Sequence, residues 1–262
     1  MLAQRKKKKK NSSTDLKKFT LEEHLCELRA RFIKIILGII CTITLIFPFR
    51  WNIINFLAQP LLSLKSGENN FDFIYTKLTE ALVTEFRVVI IFGIILSFPI
   101  TLYQTYMFLA PGLYREENRV LLRYMILSPL LFLLGMLSVY YFIIPVSWRF
   151  FLNVQTANQS LHLRLAARVS EYVELVTNLL LTFGLAFQLP IATHLLVKFN
   201  VFSVESLCRS RRYVIVSLFI LAAAMTPPDV ISQILLALPL ILLYEVSIFF
   251  CKREKKCMIL KT

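Results

Sequence analysis

Long apolar runs divided by short charged stretches leave few folds open to this chain. The runs fall at residues 32–49, 88–109, 121–145, 172–199, 213–225 and 230–250. Crossing a hydrocarbon core about 30 Å thick takes roughly 20 apolar helical residues. In lipid, every backbone polar group must be satisfied within the protein, which favours helices. The runs therefore predict an all-α polytopic membrane protein with six transmembrane helices. A large soluble core would instead need helices with a polar face, and these runs lack one. Composition agrees, since 57% of the 262 residues are hydrophobic against about 45–50% in ordinary soluble domains.

The formal net charge of +14 would suggest nucleic acid as a partner of a soluble protein. Here the cations flank apolar runs and form no folded basic face, so no nucleic-acid partner is expected. More than three quarters of the 30 lysines and arginines lie in segments 1–34, 109–123, 198–212 and 252–262, and the rest in 50–87 and 146–171. The positive-inside rule then places both termini on the inside face. Three regions follow: a basic N-terminal tail at 1–31, a six-helix membrane domain at 32–250 and a basic C-terminal tail at 251–262. The Lys6–Lys10 run reads as a solvated or lipid-associated tail. The first apolar run ends in Phe47-Pro48-Phe49-Arg50-Trp51 and not in small residues, so no cleaved signal is expected. The five cysteines form no C-x-x-C pair and suggest neither a disulfide framework nor a zinc site.

Within the spans, Pro99, Pro129, Pro190 and Pro239 are expected to kink their helices and can shape a concave wall. The fifth run is short, and Thr226-Pro227-Pro228-Asp229 makes a tight turn into the sixth. Two polar residues stand out inside the membrane. Glu245 lies near the inside end and can snorkel to it. Gln188 is nearer mid-span, where an amide either bonds a neighbouring helix or offers a docking point for another protein's helix. Residues 50–79 and 146–171 read as polar connecting segments.

Enzyme signatures are lacking. His24, His162 and His194 are scattered without metal spacing, and there is no P-loop, nucleotide fingerprint or G-x-S-x-G turn. No catalytic residue, metal or cofactor is expected. The inside face is more informative, because carboxylates sit among its many cations. One group is Glu22-Glu23-His24-Leu25-Cys26-Glu27-Leu28-Arg29, and the other is Glu116-Glu117. Such carboxylates either pair with neighbouring cations or form a pocket for arginine, whose planar fork binds them in bidentate fashion.

Four blocks of the chain resemble the TatC family, the core subunit of the twin-arginine protein translocase. His24-Leu25-Cys26-Glu27-Leu28-Arg29-Ala30-Arg31 is like the family's H-L-x-E-L-R-x-R. Tyr103-Gln104 through Phe108-Leu109-Ala110-Pro111-Gly112-Leu113-Tyr114-Arg115-Glu116-Glu117 is like its Y-Q-x-W-x-F-x-x-P-G-L-Y-x-x-E. Phe183-Gly184-Leu185-Ala186-Phe187-Gln188-Leu189-Pro190 forms the third. The fourth runs from Arg211-Arg212-Tyr213 through Thr226-Pro227-Pro228-Asp229, Gln233 and Pro239 to Leu243-Tyr244-Glu245. The likeness spans about Glu23 to Phe250.

The resemblance implies a concave, glove-like bundle that binds the twin-arginine signal peptides of folded precursor proteins. It implies recruitment of single-span TatA/TatB-like subunits, an oligomeric assembly in membrane lipids, and translocation driven by the proton-motive force. It assigns contact with the arginine pair to Glu27 and Glu117, with Arg29, Phe108 and Pro111 near that site. It assigns partner-helix docking to Gln188, Thr226, Asp229 and Gln233. Two departures stand out: Gln188 replaces a glutamate common in bacterial members, and Tyr106 replaces a tryptophan. The stretch Phe73–Ala81 looks most like the mitochondrial and α-proteobacterial branch. The mitochondrial inner membrane is thus favoured, with the thylakoid or a bacterial plasma membrane as alternatives. The rival readings are a solute or proton transporter and a structural subunit of a respiratory membrane complex. A transporter needs ionisable residues along a continuous path, and the spans offer only Glu245 and Glu174, near opposite ends.

Overall fold

A computed structural model describes residues 21–62, 73–74, 77–112, 115–149, 167–199, 201–225 and 230–259. Helix α1 spans Leu21–Ile46, and a 3-10 turn at Phe47–Phe49 leads into α2, Arg50–Leu62. Helix α3 spans Leu78–Leu109, and a second 3-10 turn, Ala110–Gly112, precedes α4 at Arg115–Ser138. A π-helical turn at Val139–Ile143 extends α4, and the helix runs on to residue 149. Helices α5, Val169–Ala186, and α6, Leu189–Lys198, form one interrupted rod. The short α7, Val204–Arg209, leads to α8, Arg211–Met225, and α9, Val230–Ile259. The strands β1, Phe73–Ile74, and β2, Ala167–Arg168, make a two-residue parallel pairing between the segments that precede α3 and α5.

Among the described residues, four helical stretches are long and apolar enough to cross a membrane: Glu22–Leu61, Thr79–Gly112, Glu117–Arg149 and Val169–Lys198. Helices α8 and α9 coincide with the fifth and sixth apolar runs. Large apolar side chains on the rods face outward, among them Phe32, Leu37, Ile126 and Phe142, as lipid-facing surfaces do.

Three boundaries differ from the sequence expectation. Helix α1 begins eleven residues before the first apolar run, because Glu22 and Glu23 occupy its first turn and favour the positive end of the helix dipole. Residues 50–62 form a helix, not a polar loop. Ile54, Leu57 and Leu61 recur at helical spacing and are buried, while Asn52, Asn55 and Gln59 face out, so α2 is amphipathic. Helix α9 continues nine residues past the last apolar run, into the basic tail.

Close packing of rods depends on small residues, as expected where apolar surface alone cannot drive helices together in lipid. Helix α1 packs along α3. At their crossing, a Cβ on Gly93 would lie 2.3 Å from the Ile43 side chain. The Thr42 hydroxyl donates to the Gly93 carbonyl at 2.8 Å. Helices α4 and α5 meet the same way, since a Cβ on Gly184 would lie 2.7 Å from the Phe132 ring. The α5–α6 break lies just before Pro190, which has no N–H to give. Phe187 and Gln188 turn there through bonds to the Phe183 and Leu185 carbonyls. The main core joins Leu57, Val88, Val139, Val176, Phe183 and Leu240, so α2, α3, α4, α5 and α9 all contribute to it.

Candidate functional site

The first turns of α1 lie against the last turns of α3. The His24 ring stacks on Phe108, with centroids 4.5 Å apart and planes 21° from parallel. Two turns along α1 and one turn back on α3, Arg31 donates from Nη1 to the Gln104 side-chain oxygen at 3.4 Å. Thr42 on Gly93 continues the contact deeper. Since residue numbers rise on α1 as they fall on α3, the two helices are antiparallel, and the start of α1 meets the end of α3. The turn at Ala110–Gly112 then reverses the chain, so α4 starts at that same end. Glu27 on α1, Phe108 on α3, Pro111 in the turn and Glu117 on α4 thus share one end of the bundle.

Electrostatics at this end are partly settled within the chain. Glu27 accepts from Arg31 Nη2 at 3.2 Å, an i,i+4 pair on the helix. Arg31 therefore bridges Glu27 to Gln104. Arg29, two residues from Glu27, is exposed and has no ion pair with any described residue. Glu117 is half-buried in the first turn of α4, where the helix dipole favours a carboxylate. Beside it, the side-chain oxygen of Asn118 is buried without a hydrogen-bond partner. A buried acceptor left open costs free energy that an incoming N–H donor can recover. His24, Arg31, Gln104 and Asn118 were not singled out as site residues from sequence. His24, Arg31 and Gln104 stand at fixed positions of the family-like motifs, and the i,i+4 spacing of Glu27 and Arg31 was a further signal.

Of the residues expected to dock partner helices, the two described ones, Gln188 and Gln233, lie on different helical elements. Gln188 turns onto α4, where its amide nitrogen donates to the Ser128 carbonyl at 3.1 Å. The Ser128 hydroxyl donates back to its amide oxygen. Of the two readings of Gln188, this geometry is the bond to a neighbouring helix. Gln233 donates to the Phe219 carbonyl at 3.1 Å and ties α9 to α8. Thr226 and Asp229 lie outside the described residues.

Three further carboxylates, Glu245, Glu174 and Glu85, are paired with arginines. Glu245 does not simply snorkel to water; it meets Arg211, at the start of α8, at 2.9 Å. Toward the other end, Glu174 meets Arg87 at 2.5 Å and Glu85 meets Arg50 at 2.8 Å. Tyr140 and Tyr172 donate to the Phe56 and Leu57 carbonyls and fasten α2 over that end. Glu174 and Glu245, the two carboxylates a transport path would use, are thus each held by a cation.

Residues 23–239 match the family described as Sec-independent protein translocase protein (TatC). The TatC protein of Rickettsia prowazekii is 38% identical over 236 residues, covering 90% of this chain and 94% of that protein. The tatC-like protein ymf16 of Reclinomonas americana is 36% identical, with 89% and 87% covered. A crystal structure of the twin arginine translocase receptor TatC superposes with a TM-score of 0.79 at 34% identity. It covers 88% of this chain and 98% of that one.

Proposed function

The chain belongs to the TatC family of Sec-independent protein translocase proteins, and on that premise we propose that it is the receptor subunit for twin-arginine signal peptides. It binds the signal at the bundle end that carries Glu27 and Glu117, and it scaffolds the passage of folded precursors across the membrane. It works by binding, with no chemical step of its own and no cofactor.

The observation that carries this reading is the meeting of α1, α3 and α4 at one end, with a carboxylate at the start of α1 and another at the start of α4. Two adjacent guanidinium groups need two acceptors on neighbouring elements, and each fork can take a carboxylate in bidentate fashion. The Arg31 guanidinium already on Glu27 is chemically the same group as the ligand. An incoming arginine exchanges with it, while Arg31 keeps its hold on Gln104. The stacked His24 and Phe108 rings form an apolar wall beside this exchange. Arg29 and Pro111 complete the rim. A lysine pair brings charge without the planar fork, so it is the discriminating control.

Single-span TatA/TatB-like partners dock along α5–α6 and the α8–α9 hairpin, through Gln188, Thr226, Asp229 and Gln233. At Gln188 the partner exchanges with Ser128 for a neutral amide, so no charge switches there. The basic flanks place both termini on the inside face. The likeness of Phe73–Ala81 to the mitochondrial branch supports a mitochondrial inner-membrane location.

The test is photocrosslinking of a signal peptide to the full chain in membranes, with Arg-Arg and Lys-Lys versions compared at equal concentration. Strong labelling near Glu117 with Arg-Arg and weak labelling with Lys-Lys is expected. Equal labelling by the two peptides contradicts arginine capture.

A further inference from the structure

The described residues include a cavity lined by none of the residues named for signal capture or partner docking. It measures about 610 Å³ and lies between α4, α6 and α9. It shares no residue with the Glu27–Glu117 end.

Its lining is sorted by depth. On α4, Tyr124 lies nearest the inside end, and Leu131 is seven residues farther in, roughly 10 Å at 1.5 Å per residue. Helix α6 runs the other way, so its His194 lies nearer the inside end than Ile191 and Pro190. Helix α9 also runs outward to the inside end, so Arg253 lies beyond Phe250. Each of the three helices thus places a polar group toward the inside boundary and apolar side chains toward the membrane centre. The polar groups sit together at one mouth, where the Tyr124 hydroxyl and His194 Nδ1 are 2.8 Å apart. Arg253 is exposed and has no ion pair with any described residue. Phe250 is 57% exposed, so the apolar part of the groove opens sideways.

We propose that this groove is a binding site for one anionic phospholipid of the inside leaflet, with the phosphate at Arg253, His194 and Tyr124 and an acyl chain along Leu127, Leu131 and Ile191. Charge and polarity both have to match. A free anion would leave the apolar wall uncovered, and an apolar partner helix would leave Arg253 without an anion. An anionic glycerophospholipid satisfies both ends at the depth where its own headgroup and tails lie. Basic pockets between spanning helices on the positive-inside face recur as headgroup sites. The volume falls within the range of small-ligand pockets.

The full chain, purified in mild detergent, is incubated with equal amounts of phosphatidylglycerol and phosphatidylcholine carrying the same acyl chains, and retained lipid is counted by native mass spectrometry. Phosphatidylglycerol is expected to be retained about fivefold over phosphatidylcholine, the discrimination one arginine gives toward an anionic headgroup. Arg253→Gln, a change at an exposed position, brings the ratio toward unity. Ile191→Trp, which fills the apolar part, lowers retention of both lipids. Excess inorganic phosphate leaves the phosphatidylglycerol in place. Equal retention of the two lipids by the unaltered chain, or an unchanged preference in Arg253→Gln, overturns the proposal. So does displacement by inorganic phosphate, which would mark a simple anion site. Displacement by a partner's single-span helix would mark a protein-docking groove and overturns it as well.

Discussion

Arg31 holds Glu27 before any ligand arrives, and this contact sets the behaviour of the proposed site. Pairs of this kind on a helix are worth about 0.3–0.5 kcal/mol, so exchanging one guanidinium for another is nearly balanced. The balance leaves the second contact, at Glu117, to decide whether the signal stays. Arg31→Gln removes the competitor and is expected to tighten binding of an Arg-Arg peptide about twofold. Arg31→Lys retains a competing cation and should bind close to the unaltered protein. Fluorescence anisotropy of a labelled signal peptide reads both, and weaker binding by Arg31→Gln would show that Arg31 helps hold the ligand. The acidic positions were legible in the sequence, because Glu27, Phe108, Pro111 and Glu117 stand within motifs like those of the family. The pairing was not, since which cation reaches Glu27 depends on how α1 is rotated against α3. Gln188 shows the same limit. Its polarity at mid-span marked it, but Ser128 lies sixty residues away in sequence, and only the approach of α4 to α5 brings them together.

Helices were legible where apolar runs were unbroken and obscure where polarity and proline interrupted them. Arg50–Leu62 contains two asparagines, a glutamine and Pro60, which together suggest a loop. Yet the burial of Ile54, Leu57 and Leu61 follows a helical stripe that the full-length apolar runs overshadowed. The interruption before Pro190 was legible, because a proline removes a backbone donor wherever it sits. Glycines carried structural information that the sequence did not rank. Gly93 sits where α1 and α3 touch, with the Ile43 Cα only 3.1 Å from where a Cβ would sit, whereas a Cβ on Gly112 would meet nothing within 4 Å. Gly93→Ala should therefore part the two helices and lower stability by about 1–3 kcal/mol, the usual cost of overpacking. Gly112→Ala should leave stability nearly unchanged. Thermal unfolding of the detergent-solubilised full chain compares the two, and equal midpoints would mean that α1 is not clamped on α3 at Gly93.

Across the whole molecule, the arrangement of the spans follows from charge and length. Cations concentrate on alternate connections, which orients the rods. The antiparallel contact of α1 and α3, from His24–Phe108 to Thr42–Gly93, brings the two acidic motifs to one end. Helix α8 is the exception to full-length crossing. Its 15 residues reach roughly 22 Å against a core of about 30 Å. Helix α2 and the ion pairs of Glu85 and Glu174 lie at the end away from the two acidic motifs. The proposed function rests on Glu27 and Glu117 each meeting one arginine of a signal. A double-mutant cycle measures that most directly: affinities of the full chain and its Glu27→Gln and Glu117→Gln variants for an Arg-Arg peptide and its two single-lysine versions. Glu117 is expected to couple to one arginine by about 1–3 kcal/mol, as charge-assisted contacts do, and Glu27, where Arg31 competes, by about 0.5 kcal/mol. Effects that simply add, with no coupling at either glutamate, would contradict it.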